Sequence, residues 1–276
     1  MVFSPQWHAL GREAELAGAQ LALGVTALGR ADNTRLGNYT IAFFGLTIGL
    51  ERLGKLVVIA DYAIGHGGQF PDNNFLKYTI SHDLALLLDR CEVVSETRQP
   101  AGEYSKRPNG GVHQGIIQTL SEFGTLTRYY NLDFLAGGKA AKMPEPVGAW
   151  WKRVGEPILL RHYKARQREK DNKLAEGLNE TWGPSVMVRH YSETGESIND
   201  VAALVQRAGA ARVVQKYGRL YVLQIVRWLS YLISGLAHDG AYTHRIEPLL
   251  GIDEPFKLFL NDDSYFQARK SWAIYP

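Results

Sequence analysis

Residues 41–64 read IAFFGLTIGLERLGKLVVIADYAI. Within them Phe43, Leu46, Leu50, Leu53, Val57, Ala60 and Ile64 recur at steps of three and four without a miss, the spacing that lines apolar side chains along one helix face. So regular a seam must be buried against other helices, and it sets the expectation of a helical bundle. Gly45 and Gly49 beside it admit a neighbouring backbone. Glu51 and Lys55, four apart, are expected to pair on a more polar face.

Working outward, residues 10–30 (LGREAELAGAQLALGVTALGR) set Leu16, Leu21, Leu23 and Leu28 among small residues, which suits a first helix packed closely on a neighbour. After the seam, glycines 65, 67 and 68 and the polar run 70–74 mark a turn. A third helix follows, with Ser81 or Asp83 near its N-terminus and Leu84, Leu87, Leu88 and Cys91 on its apolar face. Pro100 and Pro108 place a loop over 97–112. Beyond it Ile116, Ile117, Leu120, Phe123, Leu126 and Tyr130 predict one continuous fourth helix. No stretch before residue 136 alternates with the period of a sheet, so the first half reads as an antiparallel four-helix bundle over 1–136.

Residues 137–146 (GGKAAKMPEP) carry glycine, proline and lysine with no apolar period, and the domain boundary is placed there. A second helical region, 147–276, follows, so the whole chain is expected to be all-α. Pro157 should kink its first helix, and Gly218 is a potential break in the long helical pattern of 197–238. The segment 161–174 (RHYKARQREKDNKL) is basic enough to touch phosphates, but Glu169 and Asp171 interrupt it, so it reads as a solvated face. Val186 to Val188 fits either a small strand or an irregular connection. In the tail Phe256, Phe259, Tyr265, Phe266 and Trp272 are available to seal a core.

Composition narrows the function classes. A chain of 276 residues, 45% hydrophobic, can build a sizeable core. Its net charge of +3 permits a nucleic-acid partner without arguing for one. The single cysteine, Cys91, rules out an intramolecular disulfide and a cysteine-rich zinc site, and fits a reducing compartment. The N-terminus lacks the pattern of a secretory signal. Charges at Glu51, Arg52, Lys55 and Arg227 interrupt the two most apolar stretches, so a cytoplasmic protein with no membrane partner is expected. Walker-type loops, HExxH, paired cysteines and GxSxG are all missing, so neither a cofactor nor a metal is expected.

The candidate chemistry lies at the entry to the fourth helix, where residues 107–113 read RPNGGVH. Unpaired N–H groups at a helix start favour anions, and Arg107 beside them suits a phosphate, although a solvated loop contains the same residue types. Asn109 and His113 add polar groups. Together with this turn, the segments FFGLTIGLERLGKLVVI (43–59), LKYTISHDLALLL (76–88) and TRYYNLD (127–133) resemble the HEPN superfamily.

That resemblance covers roughly the first half. It implies a compact helical bundle and, for many members, metal-independent RNA cleavage in toxin and phage-defence systems. The family is marked by an Arg, four to six residues, then a His at the last bundle helix. Arg107 and His113 fit with five between them, and Pro108 stands where the family more often has a polar residue. The resemblance implies His113 as general acid or base for attack by the ribose 2′-OH, and Arg107 on the phosphate. It also implies a homodimer, with an antitoxin or another defence-system protein as partner. His82, Arg128 and Tyr129 join Asn109 as secondary, substrate-binding candidates. The alternative is a non-catalytic helical scaffold that holds a nucleotide or a partner protein.

Overall fold

The first two helices are held together by what their glycines lack. In the computed structural model, which describes residues 3–75, 83–99 and 102–273, α1 (Pro5–Leu28) lies along α2 (Gly37–Gly65). A Cβ on Gly45 would sit 2.8 Å from the Gln20 carbonyl oxygen, so only glycine lets the two backbones meet there. All seven seam residues of α2 are buried, and Glu51 and Lys55 pair at 2.6 Å. The third helix, α3 (Leu84–Arg98), starts at Asp83, whose carboxylate accepts from the N–H groups of Ala85 and Leu86.

The fourth helix departs from the single run that its periodicity predicts. α4 spans Gly111–Glu122, opens into a wide turn over Phe123–Thr127, and resumes as the short α5 (Tyr130–Ala136). Thr47 of α2 donates its hydroxyl to the Leu120 carbonyl at 3.3 Å, adding a side-chain donor to the last turn of α4 just before the turn widens. Leu126 is therefore rotated out to solvent, and α5 has no buried residue.

The second half is built around α9 (Val201–His238), capped by Asp200 through the Ala203 N–H. It runs straight through Gly218, whose position packs against Trp150 and Ile158, so tertiary contact overrides the local break. Before it lie α6 (Pro146–Trp150), a wide turn over Trp151–Gly155, α7 (Glu156–His162) and α8 (Ala165–Trp182). Pro157 has no N–H for the Arg153 carbonyl, and the helix loosens ahead of it. Two two-residue strands, β1 (His190–Tyr191) and β2 (Ser197–Ile198), form an antiparallel hairpin, while Val186 to Val188 is irregular. The tail ends in α10 (Asp263–Ala268).

Among the described residues the chain is all-α apart from that hairpin. Its buried side chains form one cluster across residues 137–146, with Phe43 of α2 meeting Trp150 of α6 at 5.4 Å between ring centroids. The tail closes back on α1, where Trp272 N–H donates to Thr26 Oγ1 at 2.9 Å. By length and composition the segment 201–243 could span a bilayer, but 78% of its most apolar window is buried inside the fold. Arg227 within it pairs with Asp263 at 2.9 Å and stacks 3.8 Å from the Tyr104 ring centroid, so its charge is met by protein. α9 is thus the core helix of this fold.

Candidate functional site

The turn before α4 is held by side chains on two other helices, α3 and α9. Gly110 occupies the N-cap position, and its N–H donates to Nδ1 of His113 at 3.2 Å. With Nδ1 accepting, the ring proton sits on Nε2, which donates to Gln224 Oε1 of α9 at 2.8 Å. Gln224 in turn donates to Asp263 of α10 at 2.8 Å, and Asp263 is the partner of Arg227. His113 is 8% exposed, and burial, partly opposed by the hydrogen bond to Gln224, holds its pKa below the ordinary histidine value. The imidazole is therefore neutral near pH 7, and both its nitrogens are engaged.

Arg107 is similarly engaged. Its guanidinium bonds Asp89 at 2.7 Å and Glu92 at 2.8 Å, two carboxylates of α3, and lies 5.9 Å from the Trp228 ring centroid. Asn109 accepts from Gln114 at 2.9 Å. Arg107 and Asn109 line an open cavity of about 580 Å³ with Lys106, Glu92 and Glu96, so its cations face carboxylates of equal number. His113 is not among its walls.

The other expected site residues lie elsewhere. Arg128 donates to the Gly124 carbonyl at 3.1 Å and rests 5.6 Å from the Phe44 ring centroid, while Tyr129 is exposed beside α5. Both sit past the far end of α4, roughly 20 Å from the turn at 1.5 Å per residue. His82 lies outside the described residues. The structure thus brings Arg107, Asn109 and His113 into one turn and separates Arg128 and Tyr129 from them. No family model matches the chain, and neither does any curated protein or solved structure.

Two features of the surface were not legible as sites in the sequence. Leu126, Tyr129, Leu132, Phe134 and Leu135 are 52–83% exposed and follow one another along the turn and α5. Their apolar spacing points to a helix with a buried face, and only the wide turn after Glu122 puts them outside. The second is a groove between α8 and α9 with Lys164, Arg166, Lys170, Arg212 and Lys216 on its walls. Its signal is the four-residue spacing of Arg166 with Lys170 and of Arg212 with Lys216. Pairing those two helices is a tertiary fact that periodicity does not contain. Among the described residues no cluster of three histidine, cysteine or carboxylate side chains is arranged to hold a metal.

Proposed function

We propose that this chain is a non-catalytic helical interaction protein, HEPN-like in its N-terminal bundle, whose first partner is a second copy of itself. The exposed apolar run of Leu126, Tyr129, Leu132, Phe134 and Leu135 carries this reading. With ordinary leucine and aromatic areas these side chains present on the order of 600 Å² of apolar surface, the upper end of what a monomer keeps without a use for it. A standard interface buries roughly 800 Å² per partner, so the expected self-association is weak and concentration-dependent. His113 and Arg107 then act as staples of the turn: one joins α4 to α9 through Gln224, the other joins the turn to α3.

Sedimentation analysis over a wide concentration range tests this. Wild type is expected to pass from monomer toward dimer, and Leu132→Asp with Phe134→Asp to stay monomeric while keeping the wild-type circular dichroism spectrum. A wild type that stays monomeric at the highest soluble concentration would remove the self-association reading.

A second reading, metal-independent RNA cleavage with His113 as general acid or base and Arg107 on the phosphate, is supported by the position of this pair at the entry to α4. It requires His113 Nε2 to leave Gln224, and Arg107 to exchange two carboxylates for a phosphate. RNA incubated with wild type, His113→Ala and Gln224→Ala decides it. Cleavage that His113→Ala abolishes would favour the nuclease, whereas uncleaved RNA with all three favours the staple.

A further inference from the structure

The groove between α8 and α9 is lined by cations. Lys164, Arg166 and Lys170 reach it from the start of α8, and Arg212 and Lys216 from α9, around a volume of about 680 Å³. No carboxylate is among its walls. Among the described residues Lys164, Arg166, Lys170 and Lys216 form no ion pair, so their charges are unspent. Of the acidic interruptions of the basic run, Glu169 is paired within α8 and Asp171 is buried beneath the groove. Glu169 pairs with Lys173 at 2.8 Å, and Asp171 is only 3% exposed, accepting from Tyr163 Oη at 2.8 Å and from Arg212 at 3.1 Å. Gly209 leaves room for that carboxylate, since a Cβ there would meet it at 2.7 Å.

The floor beside the cations is aromatic. His162 stacks on Tyr217 with centroids 3.7 Å apart and planes 10° from parallel, and its Nε2 is 2.9 Å from Tyr221 Oη. Burial first, then the charges of Arg161, Lys164 and Lys216, hold the His162 pKa below its ordinary value.

We propose that this groove binds a compact polyphosphate anion, a ligand carrying three or more consecutive or clustered phosphates. Its volume falls within the roughly 300–1,000 Å³ of small-ligand sites. Five cations converging on one concavity match several charges packed into a short length. An extended nucleic-acid strand would instead need cations strung along a track, and the neighbouring face of α8 is broken by Glu169. Arginine supplies forked donors to phosphate oxygens and lysine point charges, and four of the five cations can bind without breaking an internal pair, Arg212 alone being held by Asp171. Nucleoside polyphosphates, inositol polyphosphates and inorganic polyphosphate share this chemistry. The groove does not depend on self-association through residues 126–135.

Calorimetric titration of the full chain with inorganic tripolyphosphate is the first test, with orthophosphate, a nucleoside triphosphate, an inositol hexakisphosphate and a twelve-nucleotide RNA as further arms. One tripolyphosphate per chain is expected, at least tenfold tighter than orthophosphate and weaker as salt is raised. Arg166→Glu with Lys170→Glu should weaken it at least tenfold with an unchanged melting curve, and Lys139→Glu, outside the groove, should leave it unaltered. The ranking of nucleoside and inositol arms identifies the source. Undetectable tripolyphosphate binding, equal loss in Lys139→Glu, or binding of RNA alone would each overturn the proposal.

Discussion

The turn before α4 and the groove between α8 and α9 are both made of cations and a histidine against α9, and they use them in opposite ways. In the turn, Arg107 meets two carboxylates and both nitrogens of His113 are bonded, so charge and hydrogen-bonding capacity are used up inside the protein. In the groove, the buried Asp171 carboxylate is taken up by Tyr163 and Arg212, and among the described residues four of five cations lack an acidic partner. The difference teaches that residue type and spacing along a chain do not tell spent groups from available ones. What tells them apart is which neighbours the fold supplies.

The largest expected effect comes from removing the hidden carboxylate. Asp171→Ala leaves Tyr163 and Gln167 without their acceptor and opens a small void, and should cost about 2–3 kcal/mol in denaturant unfolding. It should also tighten tripolyphosphate binding several-fold, because Arg212 is released and a negative charge is lost. A variant that loses stability and binding together would show that Asp171 builds the groove as well as emptying it of negative charge.

His113→Ala is the matching change in the turn. It removes the acceptor of the Gly110 N–H and the donor to Gln224, for a loss of about 1–2 kcal/mol, and it should leave tripolyphosphate affinity as in wild type. An unaltered unfolding midpoint would mean that the link from α4 to α9 contributes nothing and that His113 is held for another purpose.

How much of this was readable in advance differs from residue to residue. The seam from Phe43 to Ile64 and the Asp83 cap are local patterns with local causes, and they were legible. Leu126 was misplaced on a buried face because the hydroxyl that widens the helix belongs to Thr47, some eighty residues earlier. Gly218 stays helical because Trp150 and Ile158 pack on it. Asp171 looked like an interruption of a basic face because its direction depends on Tyr163 and on Arg212 of another helix. The positions of Arg107 and His113 at the entry to α4 were legible, whereas the α9 glutamine that bonds the histidine was not.

Acid provides a smaller effect that both regions share. His113 and His162 each have a pKa below the ordinary histidine value in the folded chain, so between that folded value and about 6.5 the unfolded chain binds more protons. Stability is then fully present above about pH 6.5 and is lost as the pH falls below it. Urea unfolding at pH 7.5 and 5.5 should show the loss, and His113→Asn combined with His162→Asn should make it shallower. An equally steep loss in the double variant would assign it to other groups.

Salt should separate the two histidines, and this is the smallest effect expected. Burial is the largest cause of both shifts, but the remaining causes at His162 are three cations, all acting downward, whereas at His113 Arg161 and Asp263 act in opposite directions. Raising ionic strength from about 0.05 to 0.5 M shortens the screening length from above 10 Å to below 5 Å, which weakens charge effects near solvent and leaves burial untouched. The His162 ring should therefore titrate closer to its ordinary value in high salt, followed by its nuclear magnetic resonance signals, while His113 moves less. Equal movement of the two would show that the turn before α4 feels the solvent as much as the groove does, and the contrast between a closed and an open site would fail at the residue they have in common.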